Sequence, residues 1–228
     1  MRYQVFYRTS RQFGRHPIDG VDARLTFKSL LRSFSPEEIA IICDNSLPSQ
    51  YDFFASRFPC TYRTQLGNCG SFRLAVRLAA IHPADIYYFV EDDHLHLPLQ
   101  KEWLAAGLEH CDFVSLYDHP DKYFAPMYWE LRRSVVVTSV GHFADVPSTV
   151  MTFACRSQTL SRAREVFLSD YYTGAFLRSP RDHEMFCKLR SMGYSISSSI
   201  PGRSTHCETS LLSPLVNWRK YAFELSRH

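Results

Sequence analysis

Ile86-Tyr87-Tyr88-Phe89-Val90-Glu91-Asp92-Asp93-His94 is the stretch on which the fold turns. Five apolar or aromatic residues run directly into three carboxylates. A continuous apolar run of this kind reads as a strand buried on both faces, as inside a parallel sheet. Three adjacent acids cannot stay buried and ionised without partners, because desolvating a charge is expensive. The strand therefore ends where the acids begin, and the acids face water, a cation or both. Ligand sites of open α/β sheets lie at the carboxyl ends of strands. An acidic triplet there points to a divalent ion with oxygen ligands, Mg2+ or Mn2+. A solvated acidic turn is the other reading.

Upstream of this strand, extended and helical patterns alternate. Residues 3–7 suit a first strand, and residues 8–20, with Gly14, Pro17 and Gly20, a loop. Phe27, Leu30, Leu31 and Phe34 recur at helical spacing, which predicts a helix over 22–34. Residues 39–43 form an apolar strand ending in Asp44-Asn45-Ser46. A helix over 49–58, a short strand over 60–63, a turn over 66–71 and a helix over 72–81 complete this half. Such alternation predicts a doubly wound, mainly parallel sheet.

Downstream of Pro98 the predicted elements are a helix over 99–110, a strand over 112–117, antiparallel strands over 134–140 and 148–155, helices over 158–168 and 180–192, and a strand over 195–200. Residues 117–129 form an irregular stretch crowded with Tyr117, Tyr123, Phe124, Tyr128 and Trp129. Aromatic faces there suit sugar rings, and they suit core filling equally. Residues 210–228 show no strong period and read as a tail packed on the body.

The chain of 228 residues allows one large α/β domain or two small ones. A net charge of +3, with no run of basic residues, argues against nucleic acid as a partner. The seven cysteines are odd in number and have no CxxC spacing, which suits free thiols in a reducing compartment. No signal-peptide pattern opens the chain, and no apolar run approaches the ~20 residues of a membrane span. The expectation is a cytoplasmic protein without a membrane span.

Several polar groups attach to this frame. Asp44, at the tip of a central strand, suits a ribose or base, or an Asp turn. Asn68-Cys69-Gly70-Ser71 precedes a helix whose free amides attract phosphate, with Arg73 and Arg77 a turn further on. The GxGxxG and GKS patterns are absent, which excludes a standard dehydrogenase or P-loop site. If the acids stay extended, Glu91 and Asp93 share a side and Asp92 turns away. His94 and His96 would share a strand face and suit zinc, or simply a half-buried segment.

An apolar strand ending in Asp44-Asn45-Ser46, then Asn68-x-Gly70 and a helix, then a strand ending in acids, resembles the GT-A glycosyltransferases, in particular inverting family 2, over residues 3–98. The resemblance implies a Rossmann-like α/β fold: a mainly parallel central sheet flanked by helices, with a smaller antiparallel acceptor-side portion. It implies one domain, with residues 1–98 binding the nucleotide sugar, 99–209 facing the acceptor and 210–228 as the tail. It further implies metal-dependent transfer from a nucleotide-sugar co-substrate, a UDP-sugar, to a glycan or other hydroxyl acceptor. Asp93 and His206 would hold Mn2+ or Mg2+. Asp44 and Asp92 would lie near the nucleoside, and Thr9, Asn68, Arg73 and Glu91 would complete the donor site. Asp182 would be the base on the acceptor hydroxyl, with Glu184 second; the same Asp182 also suits a helix cap. The chain departs from the family in Glu91 for the first Asp, in Arg8-Thr9-Ser10 for a Pro-Thr-Tyr type segment, and in Arg181 for a Glu. A sugar-phosphate nucleotidyltransferase, a non-catalytic carbohydrate-binding protein and a metallohydrolase using Asp92, His94 and His96 are the rival expectations.

Overall fold

A computed structural model describes residues 1–11, 13 and 17–227. Gly14, part of the expected loop, and the terminal His228 lie outside the described residues. The first half runs β1 (Tyr3–Ser10), α1 (Ala23–Leu30), β2 (Ile39–Asp44), α2 (Pro48–Ala55), β3 (Thr61–Thr64), α3 (Gly67–Leu78) and β4 (Ile86–Glu91). There follow β5 (His94–His96), α4 (Gln100–Leu108), β6 (Phe113–Ser115) and the short α5 (Asp121–Phe124). Then come β7 (Val135–Val137), β8 (His142–Asp145), β9 (Phe153–Arg156), α6 (Ser157–Phe167) and α7 (Asp170–Thr173). The chain closes with α8 (Asp182–Ser191), β10 (Ile196–Ile200), β11 (Ser204–His206) and α9 (Trp218–Ser226).

The large sheet has the order β3-β2-β1-β4-β9-β6-β10-β8-β7. Its first four strands are parallel, and β9 enters antiparallel between β4 and β6. Alternate residues explain why the central strands are apolar throughout. Phe6, Ala40, Ile42 and Phe89 pack on one face with Phe72, Phe153, Phe167 and Phe186, under α3, α6 and α8. Val5, Tyr7, Ile39, Ile41, Tyr88 and Val90 pack on the other with Phe27, Phe54, Trp103 and Leu104, under α1, α2 and α4. Both faces are therefore covered, as a parallel sheet requires.

Four of the differences from the sequence expectation shape the sheet and its supports. First, β1 continues through Arg8, Thr9 and Ser10, which pair in register with Ile42, Cys43 and Asp44. The polar side chains hid this extension, because they serve the site and not the core. Second, α3 starts at Gly67, not at residue 72. Gly67 makes the turn out of β3 at φ 73°, a left-handed conformation that glycine adopts without strain. Third, β8 lies where no strand was expected; it forms a hairpin with β7, closed by the Thr138 amide donating to the Gly141 carbonyl at 2.8 Å.

Fourth, residues 210–228 contain the helix α9. Trp218, Ala222 and Leu225 pack against Ile18, Val21, Leu25, Leu95 and Cys207 in a third apolar cluster. The Trp218 ring is 1% exposed, and its indole N–H donates to the Ser213 carbonyl at 2.9 Å. Replacing Trp218 with Ala is expected to cost about 3–5 kcal/mol of stability. Urea unfolding measures it; a loss below about 1 kcal/mol would mean that α9 is only loosely attached.

Candidate functional site

The carboxyl ends of β1, β2 and β4 surround a cavity of about 930 Å³. Thr9, Asp44, Asn68, Glu91, Asp92 and Asp93 all line it. So do Arg8, Arg11 and Arg178, which the sequence had not singled out as donor contacts. The parallel register brings these residues together: Ser10 stands opposite Asp44, and Arg8 opposite Glu91.

Arg8 is 5% exposed and organises the floor. One guanidinium nitrogen donates to the Asn68 carbonyl at 2.9 Å, to Asn68 Oδ1 at 2.8 Å and to Ser71 Oγ at 3.2 Å. The other meets Glu91 Oε1 at 2.9 Å. Arg8 thus ties the first turn of α3 to the end of β4. The signal was present in the sequence, as a lone Arg closing an apolar strand, but its partners are 60 and 83 residues away.

Asp92 turns towards β1. Its Oδ2 accepts from Thr9 Oγ1 at 2.7 Å and from the Ser10 amide at 2.9 Å, while Thr26 Oγ1 donates to the Asp92 carbonyl. Asp44 is similarly engaged: Oδ1 accepts from Thr64 Oγ1 at 2.8 Å and from the Leu66 amide at 2.6 Å, and Oδ2 from Asn45 at 2.8 Å. Both acids join strand ends as well as lining the cavity.

Asp93 points the opposite way. Its Oδ2 lies 3.0 Å from His206 Nε2, and its Oδ1 lies 3.8 Å from His94 Nε2. The antiparallel pair β5–β11 creates this meeting, because His206 stands opposite His94. Glu91, Asp93 and His94 each offer one ligand atom, all within 4.8 Å of one another. Asp93 Oδ1 and both ring nitrogens of His94 are buried without a hydrogen-bond partner. Carboxylate oxygen and imidazole nitrogen form a donor set that Mn2+ accepts, and a cation would complete the orphaned atoms. The residues present therefore fit a divalent cation. His96 does not join them; its Nδ1 faces Tyr88 and Gln100.

The electrostatics follow from crowding. Burial pushes the Asp92 carboxyl up to about 8, and Asp93 adds to the shift against the Thr9 and Ser10 hydrogen bonds. Burial lifts Glu91 to about 7, with Arg8 pulling it down and Asp93 and Asp182 pushing it up. Burial also opposes ionisation of Asp93, but the hydrogen bond from His206 leads the effects that hold it down at about 2.

Asp182 is the first residue of α8, and its Oδ1 accepts from the His183 amide at 2.8 Å. Burial raises its pKa above the ordinary carboxylate value. It stands near enough to Glu91 to raise that group in turn. Glu184 is exposed on the same helix. Arg73 points away from the cavity and pairs with Asp170. The aromatic stretch divides: Tyr117 and Tyr128 are buried, whereas Tyr123, Phe124 and Trp129 are exposed.

No family model matches the chain, and no curated protein matches it. Solved structures do. GalNAc-T7 with UDP, GalNAc and Mn2+ superposes with a TM-score of 0.61 at 12% identity, over 90% of this chain and 43% of that one. This chain has the GT-A fold. S. aureus TarS gives a TM-score of 0.54 at 14% identity, over 87% of this chain and 35% of that one. The chain thus spans about a third of the length of TarS. The CMP:2-keto-3-deoxy-manno-octonic acid synthetase complexed with CTP gives 0.52 at 13% identity, over 100% of this chain and 99% of that one. At these identities the likeness is one of fold.

Asp92 supplies a pH test. An unfolded Asp titrates near ~3.9, so the folded chain binds the extra proton between that value and about 8. Stability through Asp92 is then present at low pH and is lost as pH rises through this window. Without divalent ions, Asp92→Asn is expected to flatten the fall in melting temperature between about pH 5 and about pH 8. Parallel wild-type and variant curves would show that Asp92 is ionised throughout.

Proposed function

We propose that the protein is a metal-dependent glycosyltransferase, moving a sugar from a UDP-sugar to a glycan or other hydroxyl acceptor with inversion. The observation that carries this reading is that Glu91 and Asp93 line the cavity at the carboxyl ends of the parallel strands, with an imidazole pair against Asp93 and Asp182 close enough to raise Glu91. Residues 1–98 would bind the donor, 99–209 would face the acceptor and 210–228 would brace the donor half. Among the described residues no helix is long and apolar enough to cross a membrane. All seven cysteines are free, which suits a cytoplasmic setting.

Asp93, with Glu91 and an imidazole beside it, would hold Mn2+ or Mg2+, and the bound ion would act as a Lewis acid on the departing diphosphate. Arg11 and Arg178, on the cavity wall, supply further positive charge for phosphate oxygens. Asp44 and Asp92 fix the strand ends against which the nucleoside would lie. Asp182 would accept the proton of the acceptor hydroxyl as the new bond forms. Its raised pKa makes it a stronger base than an ordinary Asp. The exposed Tyr123, Phe124 and Trp129 offer flat faces for an acceptor sugar.

A second reading has one observation behind it. The synthetase neighbour matches this chain over nearly the whole of both lengths. A nucleotidyltransferase would release pyrophosphate, whereas a glycosyltransferase releases the nucleoside diphosphate, so product analysis separates the two.

The first experiment is a thermal-shift screen of nucleoside diphosphates with and without Mn2+. UDP is expected to raise the melting temperature only with the ion, and no stabilisation by any nucleotide would end the proposal. Asp182→Asn is expected to lower kcat by about 10²–10⁴ with the UDP shift preserved. Wild-type kcat/KM is expected to rise with pH through the raised pKa of Asp182. Retained turnover in Asp182→Asn would remove it as the base.

A further inference from the structure

The metal reading leaves open which imidazole meets the ion. His206 is committed at both ring nitrogens. The Glu208 amide donates to His206 Nδ1 at 3.1 Å, so the ring proton resides on Nε2, which donates to Asp93 Oδ2 at 3.0 Å. His94 is committed at neither nitrogen. It is 0% exposed and held by packing, with its ring edge-on to Tyr117 at 5.2 Å and to His206 at 5.4 Å. A buried imidazole with no partner is costly unless something completes it. The other orphan beside it is Asp93 Oδ1, 3.8 Å from His94 Nε2. Asp93 and His94, with Glu91, each offer a ligand atom to one cluster.

We propose that His94 is the imidazole ligand of the cation, together with Asp93 and Glu91, and that His206 is a positioning residue that holds Asp93 Oδ2 so that Oδ1 faces the ion. This assignment rests on the metal-dependent reading of the site. It has a consequence for the ion. Two carboxylates alone suit Mg2+ and Mn2+ alike, but an imidazole shifts preference to a transition ion. The site therefore takes Mn2+ in preference to Mg2+.

The division of roles has a physical logic. An Asp free to rotate would swing either oxygen towards Arg8 or solvent. His206 fixes one oxygen, much as outer hydrogen bonds orient metal ligands elsewhere. The Glu208 amide fixes His206 in turn. Ligand and orienter thus come from paired strands, His94 on β5 and His206 on β11.

The test uses the full chain and Mn2+ alone, then Mn2+ with UDP, read by electron spin-echo modulation from ligand nitrogen and by the affinity for Mn2+. In the wild type, one imidazole nitrogen coupling is expected. His94→Leu, similar in bulk but without a donor, is expected to lose the coupling and to bind Mn2+ at least about tenfold more weakly. It is also expected to yield its Mn2+ to a smaller excess of Mg2+. His206→Gln keeps an N–H for Asp93 and is expected to retain the coupling, with affinity close to the wild type. His206→Ala, which lacks that donor, is expected to bind more weakly while keeping the coupling. Loss of the coupling in His206→Gln would overturn the assignment while leaving the metal reading intact. Should His94→Leu fail to fold, the His206→Gln spectrum alone decides. Absence of Mn2+ binding to the wild type, with and without UDP, would overturn the assignment and the metal-dependent reading together.

Discussion

Four carboxylates crowd together at one cleft, three of them lining it. Glu91, Asp92 and Asp93 leave β4 in succession, and Asp182 approaches from α8 closely enough to shift Glu91. Such a group cannot be buried in ionised form unless each member finds a separate answer. The fold supplies four. Arg8 pairs with Glu91. Asp92, held by hydrogen bonds from Thr9 and Ser10, keeps its proton instead, because burial pushes its pKa up to about 8. His206 takes one oxygen of Asp93. Asp182 sits at the start of a helix, where the positive end of the dipole favours a carboxylate. The remaining orphan, Asp93 Oδ1, is where an external cation has a place.

This constraint shapes the fold around it. β1 must extend to Ser10 so that Arg8 and Thr9 reach the acids. α3 must begin at Gly67 so that Asn68 and Ser71 can hold Arg8. β11 must return beside β5 so that His206 meets Asp93. The third apolar cluster then seals this return, with Trp218 and Leu225 packed on Leu25 and Leu95. Site and core are therefore one system, in which the polar ends of buried strands depend on neighbours brought in by distant elements.

The parallel half of the sheet was legible in the sequence because its strands are apolar on both faces and its helices repeat at helical spacing. The acids were legible because they interrupt such a strand. Arg8 was not, since a single Arg at a strand end looks the same whether it meets solvent or a Glu from β4. β7 falls within the strand expected over 134–140, but β8 was obscured because only Phe143 and Ala144 are buried between His142 and Asp145, which gives no alternation. α9 was missed because its apolar face is narrow: Trp218, Ala222 and Leu225 occupy it, while Phe223 on the other side is 61% exposed. Arg73 shared the phosphate-facing helix in the sequence, but its position on α3 turns it to Asp170.

The fold neighbours share this sheet at 12–14% identity, so the cleft must be tested in this chain itself. The most direct measurement is a crystal structure grown with UDP and Mn2+, with anomalous scattering recorded for the ion. The account predicts an anomalous peak against Asp93 and UDP in the cavity between β1, β2 and β4, its diphosphate reaching the ion. UDP bound elsewhere, or an ion held away from Asp93, would contradict it.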